Sequence, residues 1–227
     1  MHFVWKDRFN KYIQLQRNHK TFSERMLEKL IKQQQKEIER INFYLGKKPQ
    51  KVLDIGCGLG IYDLALYDFY KEDIKFYLLD KTSSEEEEKN TFYGHRDKGS
   101  FYNNLDYTKE FLQLNGINEN NIELINVEDD IDTTNEYLQK NLSDIDLIIS
   151  IISWGFHYPI KTYLDTVYNI ISDNGILCLH CRNLKENLPL LKSKFNILSP
   201  INEKIRDGSF LICKKINVLK NISTEKN

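Results

Sequence analysis

The chain has 227 residues, a formal net charge of −1, 41% hydrophobic and 29% charged residues. That balance is ordinary for a folded globular protein and provides no overall basic field to attract nucleic acid. No apolar run approaches the ~20 residues needed to span a bilayer. The opening M-H-F-V-W-K-D-R-F is charged and aromatic and lacks the apolar core of a signal peptide, so the expected location is cytoplasmic.

In chain order, Met1 to Lys20 is rich in aromatics and in Arg and Lys, and reads as an arm with a short helix packed over the main body. Phe22 to Leu45 reads as a long helix with an interrupted apolar stripe: Met26, Leu27, Leu30, Ile31, Ile38, Ile41 and Leu45. Ser23 is its N-cap candidate, and Gly46 and Pro49 end it. The expected division is a helical arm or lid over 1–48, a main domain over 49–216 and a polar tail over 217–227 that frays.

The stretch Lys51 to Gly60, K-V-L-D-I-G-C-G-L-G, is the most informative. An apolar run meets glycines at alternate positions, and Ile61, Leu64, Ala65, Tyr67 and Phe69 then follow at helical spacing. The order is buried strand, glycine turn, helix. Glycine is required where the backbone takes positive φ or approaches a ligand closely. The N–H groups at the start of the helix are donors for an anionic group.

Strands and helices alternate from there: strand Ile74–Asp80, helix Asn104–Asn115, strand Ile122–Val127, helix Thr133–Asn141, strand Ile145–Ile152, helix Pro159–Ile171, strand Ile176–His180 and helix Leu184–Lys194. Two strands, Phe195–Leu198 and Phe210–Lys214, close the chain as an antiparallel hairpin. The pattern predicts an α/β fold, a doubly wound, mostly parallel seven-stranded sheet with helices on both faces. Between Lys81 and Asn103 lies a long connection, acidic at first and then mixing aromatics with His95, Arg96 and Lys98. Cys57, Cys178, Cys181 and Cys213 are expected as reduced, buried thiols. C-L-H-C at Cys178–Cys181 does not make a zinc site, because Cys181 faces away from Cys178 and His180 on a strand and no second Cys pair exists.

Ligands of a doubly wound sheet sit beyond the carboxyl ends of its strands. Those ends carry Asp54 and the glycine turn, Asp80, then Glu128, Asp129 and Asp130, then S-W-G-F-H-Y-P from Ser153 to Pro159, and His180 to Asn183. Asp80 closes the second strand about twenty residues beyond the turn, where a carboxylate can accept both hydroxyl hydrogens of a ribose.

D-I-G-C-G-L-G after a buried strand, with Asp80 ending the next, resembles the class I S-adenosylmethionine-dependent methyltransferase family over roughly Gly46 to Lys215. The terminal hairpin matches that family's sheet, whose last-but-one position is an antiparallel strand. The resemblance implies S-adenosyl-L-methionine as cofactor. Asp54, Gly56, Cys57, Gly58 and Gly60 would hold its methionyl end and Asp80 its ribose. Glu128 or Asp129 would flank the adenine, and Ser153 would complete the cofactor set. A dinucleotide site is disfavoured because the spacing is G-x-G-x-G, and a P-loop is excluded because no Lys-Ser/Thr pair follows.

The fourth strand has no Pro-Pro-Tyr turn, which argues against methylation of DNA bases or protein glutamine. The turn loosely resembles small-molecule and sugar methyltransferases of bacterial surface-polysaccharide pathways. It offers His157 as a base for a hydroxyl acceptor, with His180 as the rival. Trp154, Phe156 and Tyr158, with His95, Arg96 and Arg8, are the candidates for binding the acceptor, and arginines would suit a phosphate or carboxylate. The expected reaction is O-methylation of a small polar metabolite, such as a sugar or a phosphate- or phosphoramidate-bearing intermediate. An RNA methyltransferase, a non-catalytic cofactor-binding subunit and a nicotinamide dehydrogenase are the other readings. Oligomeric state is not legible.

Overall fold

The computed structural model describes residues 2–17, 22–71, 73–84, 103–199, 204–205 and 208–216, with the side chains of 14–17 and 204–205 excepted. The tail over 217–227 and most of the long connection, with His95 and Arg96, lie outside the described residues.

Seven strands form one continuous sheet. They are β1 (Lys51–Ile55), β2 (Lys75–Asp80), β3 (Ile122–Asn126), β4 (Ile145–Ser150), β5 (Ile171–Cys181), β6 (Phe195–Ile197) and β8 (Gly208–Lys215). Their order is β3-β2-β1-β4-β5-β8-β6, and a two-residue strand, β7 (Lys204–Ile205), pairs with β8 beside this path. The pairs among β1 to β5 are parallel, and β8 runs antiparallel to both β5 and β6. The sheet is therefore the one expected, including the antiparallel strand in the last-but-one position. β5 begins earlier than its apolar run suggests, because Ile171 pairs with Ile145 and the ladder resumes at Leu147–Ile176 after a register shift.

Alternation along the strands sorts the core into two layers. On one face, Val52, Phe76, Leu78, Leu147, Ile149, Ile176 and Cys178 pack with α2 (Glu24–Leu45), α3 (Ile61–Tyr70) and α4 (Leu105–Leu114). On the other, Leu53, Ile55, Leu79, Ile148, Leu177 and Leu179 pack with α5 (Ile131–Asn141), α6 (Leu164–Ile170) and α7 (Leu184–Lys192). Asp54 and Asp80 share strand parity with Val52 and Leu78, so both belong to the face of α2, α3 and α4. Asp146 of β4 fixes the start of β1 by accepting from the N–H groups of Gln50 and Lys51 and from the Lys47 ammonium.

The apolar stripe of α2 is buried as its spacing predicts, with Gln34 inserted into it. Gly46, at φ +70°, ends the helix, and its N–H bonds the Asn42 carbonyl. Ser23 stands at the N-cap, but its side chain makes no capping bond.

The N-terminal arm is part of the core. A 3-10 turn (Asp7–Phe9) leads into α1 (Asn10–Arg17), and Phe3, Phe9, Tyr12 and Ile13 are buried. Phe9 meets Phe111 and Tyr107 of α4 edge-on, and Trp5 packs on Phe9, Phe22 and Phe111. Asn115 holds the Val4 backbone at both its N–H and its carbonyl. Among the described residues, no helix is long and apolar enough to cross a membrane.

Truncating the fully buried Phe9 removes the centre of this aromatic cluster. Phe9→Ala should cost about 3–5 kcal/mol and lower Tm by roughly 10 °C in calorimetry. A Tm within about a degree of wild type would show that the arm is not part of the cooperative unit.

Candidate active site

β1 ends in the glycine turn, and the turn is positioned by its neighbours. The N–H of Gly56 bonds the Leu79 carbonyl at 2.7 Å, and that of Gly60 bonds the Cys57 carbonyl at 2.9 Å. Gly56, Gly58 and Gly60 sit at φ +79°, +56° and +73°. A Cβ on Gly56 would lie 1.9 Å from the hydroxyl of Ser153, so that position admits only glycine. Ser153 reaches this point because Ile152, just after β4, adopts φ +61°, an unusual conformation for a β-branched residue.

Among the described residues, two carboxyl groups beside the turn have no cation for a partner. Asp54 is 2% exposed and Asp63, in the first turn of α3, is fully buried. Oδ1 of Asp54 and both oxygens of Asp63 have no hydrogen-bond donor among the described residues. Burial pushes the Asp63 carboxyl up to about 7. Burial first, then the facing Asp63 and the nearby Asp80, push Asp54 well above the usual carboxylate range. Two acids facing each other in a buried site cannot both ionise readily, so the pair holds on to protons that exposed carboxyls would release.

Asp80 lies at the end of β2. Its Oδ2 accepts from the Gly58 N–H at 2.8 Å and from the Asn103 side-chain amide at 3.3 Å, and its Oδ1 from the Lys81 N–H at 2.8 Å. Burial raises it to about 6 against these three donors. Beyond β3, Asp129 pairs with the Lys81 ammonium at 2.7 Å, while Asp130 caps α5. Glu128 is exposed and belongs to no ion pair among the described residues; its backbone N–H bonds the Thr134 hydroxyl.

The turn after β4 is tightly knit. Its Ser153 carbonyl accepts from the N–H groups of Phe156 and His157, and Gly155, at φ +80°, donates to the Tyr158 carbonyl. His157 is half-buried, with its ring edge-on to Phe156. The Tyr158 hydroxyl lies 3.3 Å from Ser153 Oγ, and burial raises its phenol. Phe156 is buried under the Arg182 guanidinium, 3.7 Å from its ring centre, and His180 is buried between Phe156 and Phe210.

Two of the residues expected at the acceptor are engaged elsewhere, and two others are not described. Trp154 is not an acceptor residue: it is wholly buried, and its indole N–H is satisfied by the Ile160 carbonyl, so it belongs to the core beneath the turn. Arg8 is engaged by Glu110 of α4, which anchors the arm. His95 and Arg96 lie outside the described residues. All four cysteines are buried and reduced, as expected. Sequence reasoning missed Asp63, Asn103, Thr108 and Ile152. Asp63 left one faint signal, an acid on the otherwise apolar face of α3.

No family model matches the chain, and no curated protein does. Solved structures do. A methyltransferase from Geobacter sulfurreducens aligns with a TM-score of 0.51 and 16% identity, over 90% of this chain and 85% of that one. A ribosomal protein L11 methylase from Lactobacillus delbrueckii subsp. bulgaricus gives 0.50 and 16%, over 78% and 77%. A SAM-dependent O-methyltransferase from Thermotoga maritima gives 0.50 and 12%, over 80% and 65%. At these identities the likeness establishes architecture: the chain has the Rossmann-like fold of class I methyltransferases.

Proposed function

We propose that this protein is an S-adenosylmethionine-dependent methyltransferase acting on an oxygen of a small polar acceptor. The observation that carries the reading is the glycine turn at the end of the central strand, set between the Asp54–Asp63 pair and Asp80. These residues fit that cofactor. The unmatched carboxyl oxygens offer a counter-charge to an amino group. Gly56 and Gly58 leave the backbone uncovered, and Asp80 Oδ1 keeps a lone pair for a ribose hydroxyl. Asp54 with Gly56, Cys57, Gly58 and Gly60 would hold the methionyl end, with Ser153 bordering it. Glu128 is preferred for the adenine, because Lys81 engages Asp129.

S-adenosylmethionine, when bound, supplies a methyl group on a positively charged sulfur. The chain's own tasks are to align the acceptor, exclude water and take a proton. His157 is the proposed base, since it is only half-buried whereas His180 is buried between Phe156 and Phe210. Phe156 and Tyr158 would frame the acceptor. We place the protein in the cytoplasm, with the arm, anchored on α4, covering the acceptor. The acceptor class, a sugar or a phosphate- or phosphoramidate-bearing intermediate of surface polysaccharide, is supported by the resemblance of the S-W-G-F-H-Y-P turn and by the near-zero charge.

S-adenosylhomocysteine should raise Tm, by about 2.7 kcal/mol of stabilisation at a hundred times its Kd, and NAD should not. Gly58→Val should abolish the shift, because the side chain penalises positive φ and covers the turn. A shift with NAD alone would end the methyltransferase reading.

The carboxyl pair makes a pH prediction with a definite sign. A folded-state pKa raised from an unfolded value near 3.9 to about 7 means that the pair's contribution is fully present at low pH and is lost as pH rises through about 7. Asp63→Asn mimics the protonated acid, so it should raise the ligand-free Tm more at pH 8 than at pH 5. Wild-type affinity for S-adenosylhomocysteine should increase from pH 6 to pH 8 as the pair loses its proton, and the variant should flatten that rise. Equal Tm changes at both pH values would show that the pair does not ionise in this range.

If His157 takes the acceptor proton, His157→Ala should cut turnover about 10²–10⁴-fold and leave cofactor affinity near wild type. The acid limb of the rate profile should vanish with it. An acceptor that is already anionic needs no base, and His157→Ala would then keep most of its activity.

A further inference from the structure

Asn103, the last residue of the long connection and the one before the N-cap of α4, is 2% exposed. Its side-chain nitrogen lies 2.7 Å from the Gly58 carbonyl, 3.3 Å from Asp80 Oδ2 and 3.2 Å from the Thr108 hydroxyl. Thr108 also reaches the Gly58 carbonyl, at 2.6 Å. The Gly58 peptide is therefore held at both ends: Asp80 takes its N–H, while Asn103 and Thr108 share its oxygen. The amide has one acceptable orientation, because turning it over would set its oxygen against a carboxylate and a carbonyl. Its own oxygen, buried and without a donor among the described residues, is left over by that choice.

We propose that Asn103, with Thr108, is a positioning residue of the cofactor site: it fixes the Gly58 peptide and holds the Asp80 carboxylate turned toward the ribose. The proposal rests on the cofactor reading above. Neither residue needs to touch the cofactor. Asn103 acts through Asp80 by donating to Oδ2, so that Oδ1 stays available to a hydroxyl. It acts through the turn by fixing the peptide plane at the one glycine that bonds Asp80. The same network joins α4 to the turn, and a bridge between Thr82 and Asn103 closes the two ends of the connection beside it. The titrating groups that feel Asp80 are Asp54 and Cys57 from β1 and its turn, and Tyr158 and Tyr163 from the segment after β4. Lys81 follows it just beyond the end of β2, with its ammonium on Asp129.

The test is titration calorimetry with S-adenosylhomocysteine on the full chain. Asn103→Leu should weaken binding about 10–100-fold, as expected for a lost hydrogen bond to a charged group, and Thr108→Val by less. In an Asp80→Ala background, Asn103→Leu should add little, because the two residues act as one unit. Asn103→Asp supplies a control that keeps the shape. Its affinity relative to wild type should be poorest at pH 8 and should recover toward pH 6, as the introduced carboxyl gains a proton and again donates to Asp80. A merely structural role gives no such recovery. Binding by Asn103→Leu within twofold of wild type, losses that add in full to those of Asp80→Ala, or an Asn103→Asp ratio that ignores pH would each overturn the proposal. A wild-type protein that fails to bind S-adenosylhomocysteine removes the cofactor reading, and this proposal with it.

Discussion

Gly56 has no room for a side chain, and the site is built around that fact. The Ser153 hydroxyl occupies the place where a Cβ would stand. The turn from β1 and the turn from β4 are thereby in contact where their strands end. This contact sets the glycine backbone against the segment that carries His157 and Tyr158. A methyl group and a proton acceptor can meet only if these two turns keep their distance to within a fraction of an ångström. The Ile152 conformation, costing of the order of 1–3 kcal/mol, is the strain accepted for this placement.

Much of the scaffold was legible in the sequence because its causes are local. The apolar runs of β1 and β4, the stripe of α2 and the glycines after Ile55 each state their structure within a few residues. The site was legible in proportion to how local it is. Asp54, Gly56–Gly60 and Asp80 follow from one strand–turn–helix unit and the end of the next strand. Asn103 meets Gly58 across 45 positions and Thr108 does so across 50, and no periodicity records such a meeting. Trp154 was misread for a related reason. An aromatic just past a strand may point toward a ligand or into the core, and the deciding partner, the Ile160 carbonyl, belongs to the next turn. The arm's anchoring was not legible for the same reason, because its aromatics are matched to Tyr107 and Phe111, residues about a hundred positions away that no local pattern ties to it.

The polar groups near the turn divide into two kinds. Gly58, Asp80, Thr108 and the Asn103 nitrogen are mutually satisfied and fix a shape. Asp54, Asp63 and the Asn103 oxygen are not satisfied. A buried acceptor left alone costs about 1–3 kcal/mol, and an ionised one more. The raised proton affinity of Asp54 and Asp63 keeps charge out of the interior when no ligand is present. A cationic group entering beside them would take over the proton's role, so ligand binding and proton release are linked at this pair.

That linkage bears on the chemistry at the other turn. Methylation of a hydroxyl needs the acceptor proton to leave, and a histidine that is neutral at working pH can accept it. The carboxyl pair needs to be ionised at the same pH to receive a cation. Both requirements fall on the same side of about pH 7, above the Asp63 value and above an ordinary imidazole. On the function proposed above, binding and proton removal therefore strengthen together as pH rises, although they depend on different residues, Asp54 and Asp63 beside the glycine turn and His157 in the turn after β4.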